Sequence, residues 1–173
     1  MANQPRVLIL MGSDSDWPVM AEAHKALTDM GVECEVHVSS AHRTPERTGK
    51  LAREAAGRGI QLVICGAGAA AHLAGVVAAE TELPVLGVPL AASELNGLDA
   101  LLSTAQMPGG VPVGCLGVGK AGAKNAGLLA ARILARSDPA VAAKVREQRD
   151  RMAREVESKD AALQAKVTGG SAG

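Results

Sequence analysis

The chain has 173 residues, a formal net charge of +0 and 47% hydrophobic residues, which fits one domain, residues 1–173, with a substantial core. Zero net charge supplies no long-range field to gather nucleic acid or an anionic membrane. Tyr and Phe are absent and Trp17 is the single aromatic, so the stacking platforms of single-strand binders are missing as well. The expected partner is a small molecule, and the expected core is aliphatic.

In chain order, Arg6 to Met11 is a continuous apolar run, the mark of a strand covered on both faces. Helical spacing follows from Pro18 to Met30, with Ser15 or Asp16 as N-cap and Gly31 as the stop. Glu33 to Val38 alternates, setting Cys34, Val36 and Val38 opposite Glu35 and His37, as an edge strand would. Pro45 to Arg58 reads as a helix with proline at its first position, ended by Gly59. Gln61 to Cys65 is a third strand and Ala70 to Glu80 a third helix. Pro84 to Val88 and Val111 to Leu116 are strands four and five, with a helix near Gly97 to Ala105 between them. Lys120 to Ala135 and a charged segment, 139–166, complete the helices, and 167–173 is expected to fray.

Two segments have competing readings. Ile60 to Ala79 contains only Gln61 and His72 as clearly polar side chains, which a hydropathy window takes for a membrane span. Gly66-Ala67-Gly68 interrupts it, and a buried strand, tight turn and buried helix fit better. No secretory signal is read at the N-terminus, so no membrane association and a cytoplasmic location are expected. In the last helix, Val141, Val145, Met152, Val156 and Leu163 form a thin apolar stripe among charges. That stripe needs a partner surface. The small-residue helix at Ala121 to Ala135 is apolar on most sides, which suggests burial between subunits. A homo-oligomer is expected.

Strand and helix alternating five times imply a parallel sheet covered on both sides. The expected fold is an α/β, flavodoxin-like three-layer sandwich of five parallel strands, order 2-1-3-4-5, with an extra C-terminal helix. Its switch point lies between strands one and three. The loops after strands one, two and three (Gly12 to Trp17, Ser39 to Pro45 and Gly66 to Leu73) would then share one crevice.

The chemistry of that crevice follows from its residue types. Ser13, Ser15 and Ser40 supply hydroxyl donors, and Arg43 supplies a charged fork suited to phosphate. Asp16 can accept from the vicinal hydroxyls of a ribose, and together these suggest a nucleotide-like substrate. Asp14 is assigned ordinary helix capping. His42 is the crevice group suited to proton transfer at neutral pH. His72 lies there too, with a structural role bonded to backbone as plausible as a catalytic one. Cys34, Cys65 and Cys115 form no C-x-x-C pair and read as buried thiols. No metal-ligand spacing, dinucleotide fingerprint or P-loop is present, so no metal and no cofactor is expected.

Gly12-Ser-Asp-Ser-Asp-Trp17, Ser40-Ala-His-Arg-Thr-Pro45, Gly66-Ala-Gly-Ala-Ala-Ala-His-Leu73, Gln106-Met-Pro-Gly-Gly-Val-Pro-Val113 and Gly119-Lys-Ala-Gly-Ala-Lys-Asn125 occur in this order. Together they resemble the AIR carboxylase family in its N5-carboxyaminoimidazole ribonucleotide mutase branch, PurE, of purine biosynthesis. The resemblance runs from about Arg6 to Ala135. It implies a homo-octamer whose C-terminal helix packs on neighbours. It also implies cofactor-free transfer of a carboxylate from the exocyclic amine to ring C4 of an aminoimidazole ribonucleotide.

Carried over by position, His42 matches the family's general acid and base. Ser13, Asp16 and Arg43 match substrate-binding positions, with Ser15, Ser40 and Gly68 beside them. His72 and Leu73 match the wall around the migrating carboxylate. Arg43 directly after the histidine matches the mutase branch rather than the branch using free carbon dioxide, where Lys is usual. That carboxylase chemistry and a non-catalytic nucleotide-binding module remain the alternatives. The chain departs from the family pattern with Ala69 in place of Gly, Ala74 in place of Pro and Ala91 in place of Gln. If position 69 needs positive φ, its alanine is strained.

Overall fold

A computed structural model of the chain describes residues 4–169. Five parallel strands form one sheet: β1 (Val7–Met11), β2 (Cys34–Val38), β3 (Leu62–Gly68), β4 (Val85–Leu90) and β5 (Gly114–Cys115), in the order β2-β1-β3-β4-β5. The helices are α1 (Trp17–Asp29), α2 (Pro45–Arg53), α3 (Leu73–Glu80), α4 (Leu98–Ala105), α5 (Gly119–Leu134) and α6 (Pro139–Gly169). The flavodoxin-like architecture expected from the alternation is the one found.

Strand parity divides the core. Val7, Ile9 and Met11 of β1, with Leu62 and Ile64 of β3, face α1, α5 and the start of α6. Leu8 and Leu10, with Val63 and Cys65, face α2 and α3. Both faces of β1 are covered, which is why its sequence is apolar without alternation. The register pairs Met11 with Val38 and with Gly66, so β1 and β2 end level at the same edge of the sheet while β3 runs on past them to Gly68. Their loops therefore leave the sheet side by side.

Several boundaries differ from the sequence expectation. The second helix ends as α-helix at Arg53 and tightens into a 3₁₀ turn over Ala56–Arg58, a common way for a helix to close. Gly59, at φ 90°, makes the left-handed stop that was expected. β3 runs three residues beyond Cys65, because Gly66, Ala67 and Gly68 pair with Val88, Pro89 and Leu90 rather than turning at once. α3 consequently starts at Leu73 instead of Ala70. β5 shrinks to two residues. Pro112 lacks an N–H for the ladder, and only Gly114 and Cys115 find partners, Leu86 and Gly87.

Much of the small-residue face of α5 is buried within its own chain, while Leu129 stays exposed. Ala123, Ala126, Ala130 and Ala131 lie in the core of their own chain, packed with Ala23 and Leu27 of α1. Small residues let the two helix backbones approach closely; a Cβ at Gly127 would overlap the Ala23 carbonyl. α6 divides in two. Val141 is buried and Val145 packs on the core, whereas Met152, Val156 and Leu163 are exposed. Its start is fixed by Asp138, which accepts from the N–H groups of Ala140 and Val141 and pairs with Arg6 at 2.6 Å. The helix continues through 167–169, where fraying was expected; 170–173 lie outside the described residues.

Among the described residues, no helix is long and apolar enough to cross a membrane. The Ile60 to Ala79 segment is the buried β3, a turn and α3.

Candidate active site

The loop after β1 is shaped by its own side chains. Ser13 N-caps the 3₁₀ turn Asp14–Asp16: its Oγ accepts from Ser15 N–H, while Asp16 Oδ2 accepts from Ser13 N–H at 3.0 Å. This reciprocal pair is a capping box. Ser15 Oγ donates to Ser13 Oγ at 2.8 Å, which sets the two hydroxyls side by side. Asp14 accepts from Ser15 N–H at 3.0 Å from inside the first turn, so the cap expected of it is made by Ser13 instead. Asp16 therefore carries a structural bond as well as facing the crevice. Partial burial raises its carboxyl above the ordinary range. The N–H groups of Ser13 and Gly12 and the Arg43 charge pull the other way, and nearby Asp14 adds to the rise.

The loop after β2 is anchored from below. Buried Ser39 Oγ lies 2.8 Å from Thr48 Oγ1 on α2. Above it, Ser40 Oγ accepts from Arg43 N–H at 3.2 Å, and Ser40 N–H donates to Thr44 Oγ1 at 3.0 Å. Ser40 thus caps its own turn while also lining the crevice. Arg43 reaches back across the sheet, where its Nη2 donates to the Gly12 carbonyl at 3.1 Å. One of five guanidinium N–H groups links the two loops, which leaves donors for an anion.

The third contribution is the turn after β3. Ala69 sits at φ 50°, in the left-handed region. Ala71 N–H donates to the Ala69 carbonyl and His72 N–H to the Ala70 carbonyl, both at 2.8 Å. This tight reversal lifts His72 over the crevice, where its Nδ1 lies 2.9 Å from His42 Nε2. The rings meet edge to face with centroids 5.0 Å apart. One nitrogen of that contact must hold the hydrogen and the other a lone pair. The backbone-bonded, purely structural placement considered for His72 is not what the fold shows.

The crevice so formed has a volume of about 370 Å³. It gathers Ser13, Ser15, Asp16, Ser40, His42, Arg43, Gly68 and Leu73 around one space at the carboxyl ends of β1, β2 and β3. His72 stands at its edge through His42. Ala92 also lines it, from the loop after β4, which sequence reasoning left out. The signal was available: β4 neighbours β3 in the expected strand order, and a Cβ at Gly68 would overlap Ala92. In the single chain His42, Arg43 and His72 are exposed, so the crevice is an open cleft rather than a sealed chamber. Among the described residues no three His, Cys, Asp or Glu side chains group as metal ligands.

The family model described as AIR carboxylase matches residues 6–155. The chain belongs to the AIR carboxylase family. It is 55% identical to the N5-carboxyaminoimidazole ribonucleotide mutase of Mycobacterium tuberculosis, over 93% of this chain and 91% of that one. The mutase of Thermotoga maritima is 55% identical over 88% of each chain. That of Bacillus subtilis is 54% identical over 85% of this chain and 91% of its own. Among solved structures, Treponema denticola PurE superposes with a TM-score of 0.83 at 30% identity, covering 92% of this chain and 98% of that one. The family that the loop motifs resembled is therefore the one to which the chain belongs. All four site loops fall inside the matched span.

Proposed function

We infer that this chain is an N5-carboxyaminoimidazole ribonucleotide mutase, an isomerase of purine biosynthesis that forms 4-carboxy-5-aminoimidazole ribonucleotide. The relatives named above carry that activity in their names over nearly their whole length. The observation that carries the assignment of chemistry to residues is the position of His42. It stands against His72 at 2.9 Å and lines the same crevice as Ser13, Ser15 and Asp16.

In this reading Ser13, Ser15, Ser40 and Arg43 hold the phosphate through hydroxyls and a charged fork. Asp16 accepts from the ribose hydroxyls, and Gly68 leaves room for the ring. His42, as imidazolium, gives a proton to ring C4 as the N–C bond to the carboxylate breaks, its electron pair staying on the amine nitrogen. Carbon dioxide is released beside Leu73 and the alanines of the turn. His42 takes one C4 proton back as carbon dioxide bonds to C4, so that the C–H electron pair forms the new C–C bond, and the second C4 proton ends on the amine nitrogen. The imidazole finishes as it began, which is why one general acid and base is enough. No metal or cofactor takes part. Arg43 supports the N-carboxylated substrate over free carbon dioxide.

Residues 1–173 act as one catalytic domain in a cytoplasmic homo-octamer. The exposed Met152, Val156 and Leu163 on α6 and the exposed Leu95, Leu98 and Leu102 support burial on neighbouring copies. Such burial would also close the cleft that is open in the single chain, keeping carbon dioxide in and water out.

A stopped assay with the N-carboxylated ribonucleotide, run in labelled bicarbonate, tests the reading. Turnover with label entering product much more slowly than product forms is expected. Product that acquires the label at the full rate of turnover points to the free-carbon-dioxide alternative, and binding without turnover to the non-catalytic one. Sedimentation at micromolar concentration is expected to give the octamer; a monomer contradicts the assembly.

A further inference from the structure

The turn that carries His72 is held from behind. Ala71 is buried, at 1% exposure, and its N–H is shared between the Ala69 carbonyl at 2.8 Å and Ser103 Oγ at 3.2 Å. Ser103 belongs to α4, 32 residues further along the chain. Its own hydroxyl hydrogen is directed into the helix, to the Asp99 carbonyl at 2.8 Å, with the Ala100 carbonyl at 3.2 Å. A hydroxyl can donate into its helix and accept from the turn at the same time. An aliphatic side chain can do neither. Ser103 does not line the crevice.

We propose that Ser103 is a positioning residue for the His42–His72 pair, acting through the Ala69–His72 turn. Without it, the Ala71 N–H keeps only its short-range bond to the carbonyl of the strained Ala69, which closes a loop of three residues. His72 is the residue immediately after the amide that Ser103 holds. A rotation of that peptide therefore moves the imidazole against His42 directly. The inference rests on the mutase reading, in which His42 moves the proton.

The test compares two substitutions of nearly equal shape at this position, Ser103→Thr, which keeps the hydroxyl, and Ser103→Val, which removes it. Turnover of the N-carboxylated ribonucleotide by the unaltered enzyme is the control; its failure would reject the mutase reading and not this one. The Val variant is expected to lose about 10–100-fold in kcat, the scale of a small misplacement of a reacting group. Its KM should stay within about threefold, because uniform substrate binding is untouched. The Thr variant should remain within about threefold of the unaltered enzyme. Imidazole 15N spectra of the substrate-free protein supply a readout apart from activity: the His42 and His72 signals should change in the Val variant and persist in the Thr variant. Should the Val variant fail to fold, Ser103→Cys, a weak donor and acceptor, is expected to fall between the unaltered enzyme and a hydroxyl-free site. Equal kcat and unchanged imidazole signals across the Thr and hydroxyl-poor variants, with any loss confined to thermal stability, would overturn the proposal. Equal losses in both would overturn it too, since the hydroxyl would then not be the cause.

Discussion

Ala69→Gly should make the protein more stable, although it deletes a methyl group. Position 69 has φ 50°, and of the described non-glycine residues only Asn96 shares a positive φ. Holding an alanine in the left-handed region costs about 1–2 kcal/mol, from the approach of Cβ to the following carbonyl. A glycine there removes that strain but gives the unfolded chain more freedom, which costs about 0.4–1 kcal/mol in return. The net expectation is a gain of about 0.5–1 kcal/mol. For a chain of this size that corresponds to about 1–4 °C in melting temperature. Ala70→Gly is the internal control: its neighbouring position is equally exposed but does not have positive φ, so it should lose about 0.4–1 kcal/mol. Urea denaturation of both variants at one protein concentration, followed by circular dichroism, measures the pair. A loss of stability in Ala69→Gly as large as in Ala70→Gly would refute the reasoning, because the left-handed turn would then impose no strain.

Two further outcomes follow from the crevice. Arg43→Lys should raise KM by about tenfold, because an ammonium cannot reproduce a planar fork and loses the link to the Gly12 carbonyl; an unchanged KM in initial-rate assays contradicts this. Asp16→Asn should weaken substrate binding yet flatten one part of the stability profile. The folded pKa of Asp16 is raised, mainly by burial, so the folded state binds its proton more tightly than the unfolded chain. The resulting penalty is absent below the unfolded pKa and sets in as pH rises through the folded value. Against the unaltered protein, the Asn variant should therefore gain relative stability between acidic and neutral pH. Thermal melts at pH 3 and pH 7 that show the opposite trend contradict it.

The sheet was legible because β1 and β3 have apolar side chains on both faces and glycine or proline marks most helix ends. Strand order then placed three polar loops together, and Ser13, Asp16, Ser40, His42 and Arg43 do share a crevice. What sequence patterns could not carry was anything decided by tertiary pairing. Gly66-Ala67-Gly68 has the composition of a turn, yet β4 supplies partners that make it strand. Val111 to Leu116 has strand composition, yet only two of its residues find a ladder. The small residues of α5 are accounted for by α1 and the sheet, which crowd them from within the chain. His72 ends a turn that begins at a left-handed residue three positions before it and whose Ala71 N–H also meets a serine from α4. Neither spacing nor composition encodes that geometry.

His42→Asn tests the proton-transfer assignment most directly. An amide of similar size keeps a polar group beside His72 but cannot shuttle a proton at neutral pH. Turnover of the N-carboxylated ribonucleotide should fall by about 10²–10⁴-fold, while calorimetric affinity for the nucleotide stays within about tenfold, or 1.4 kcal/mol. A variant that keeps most of its turnover would show that the proton moves through another group.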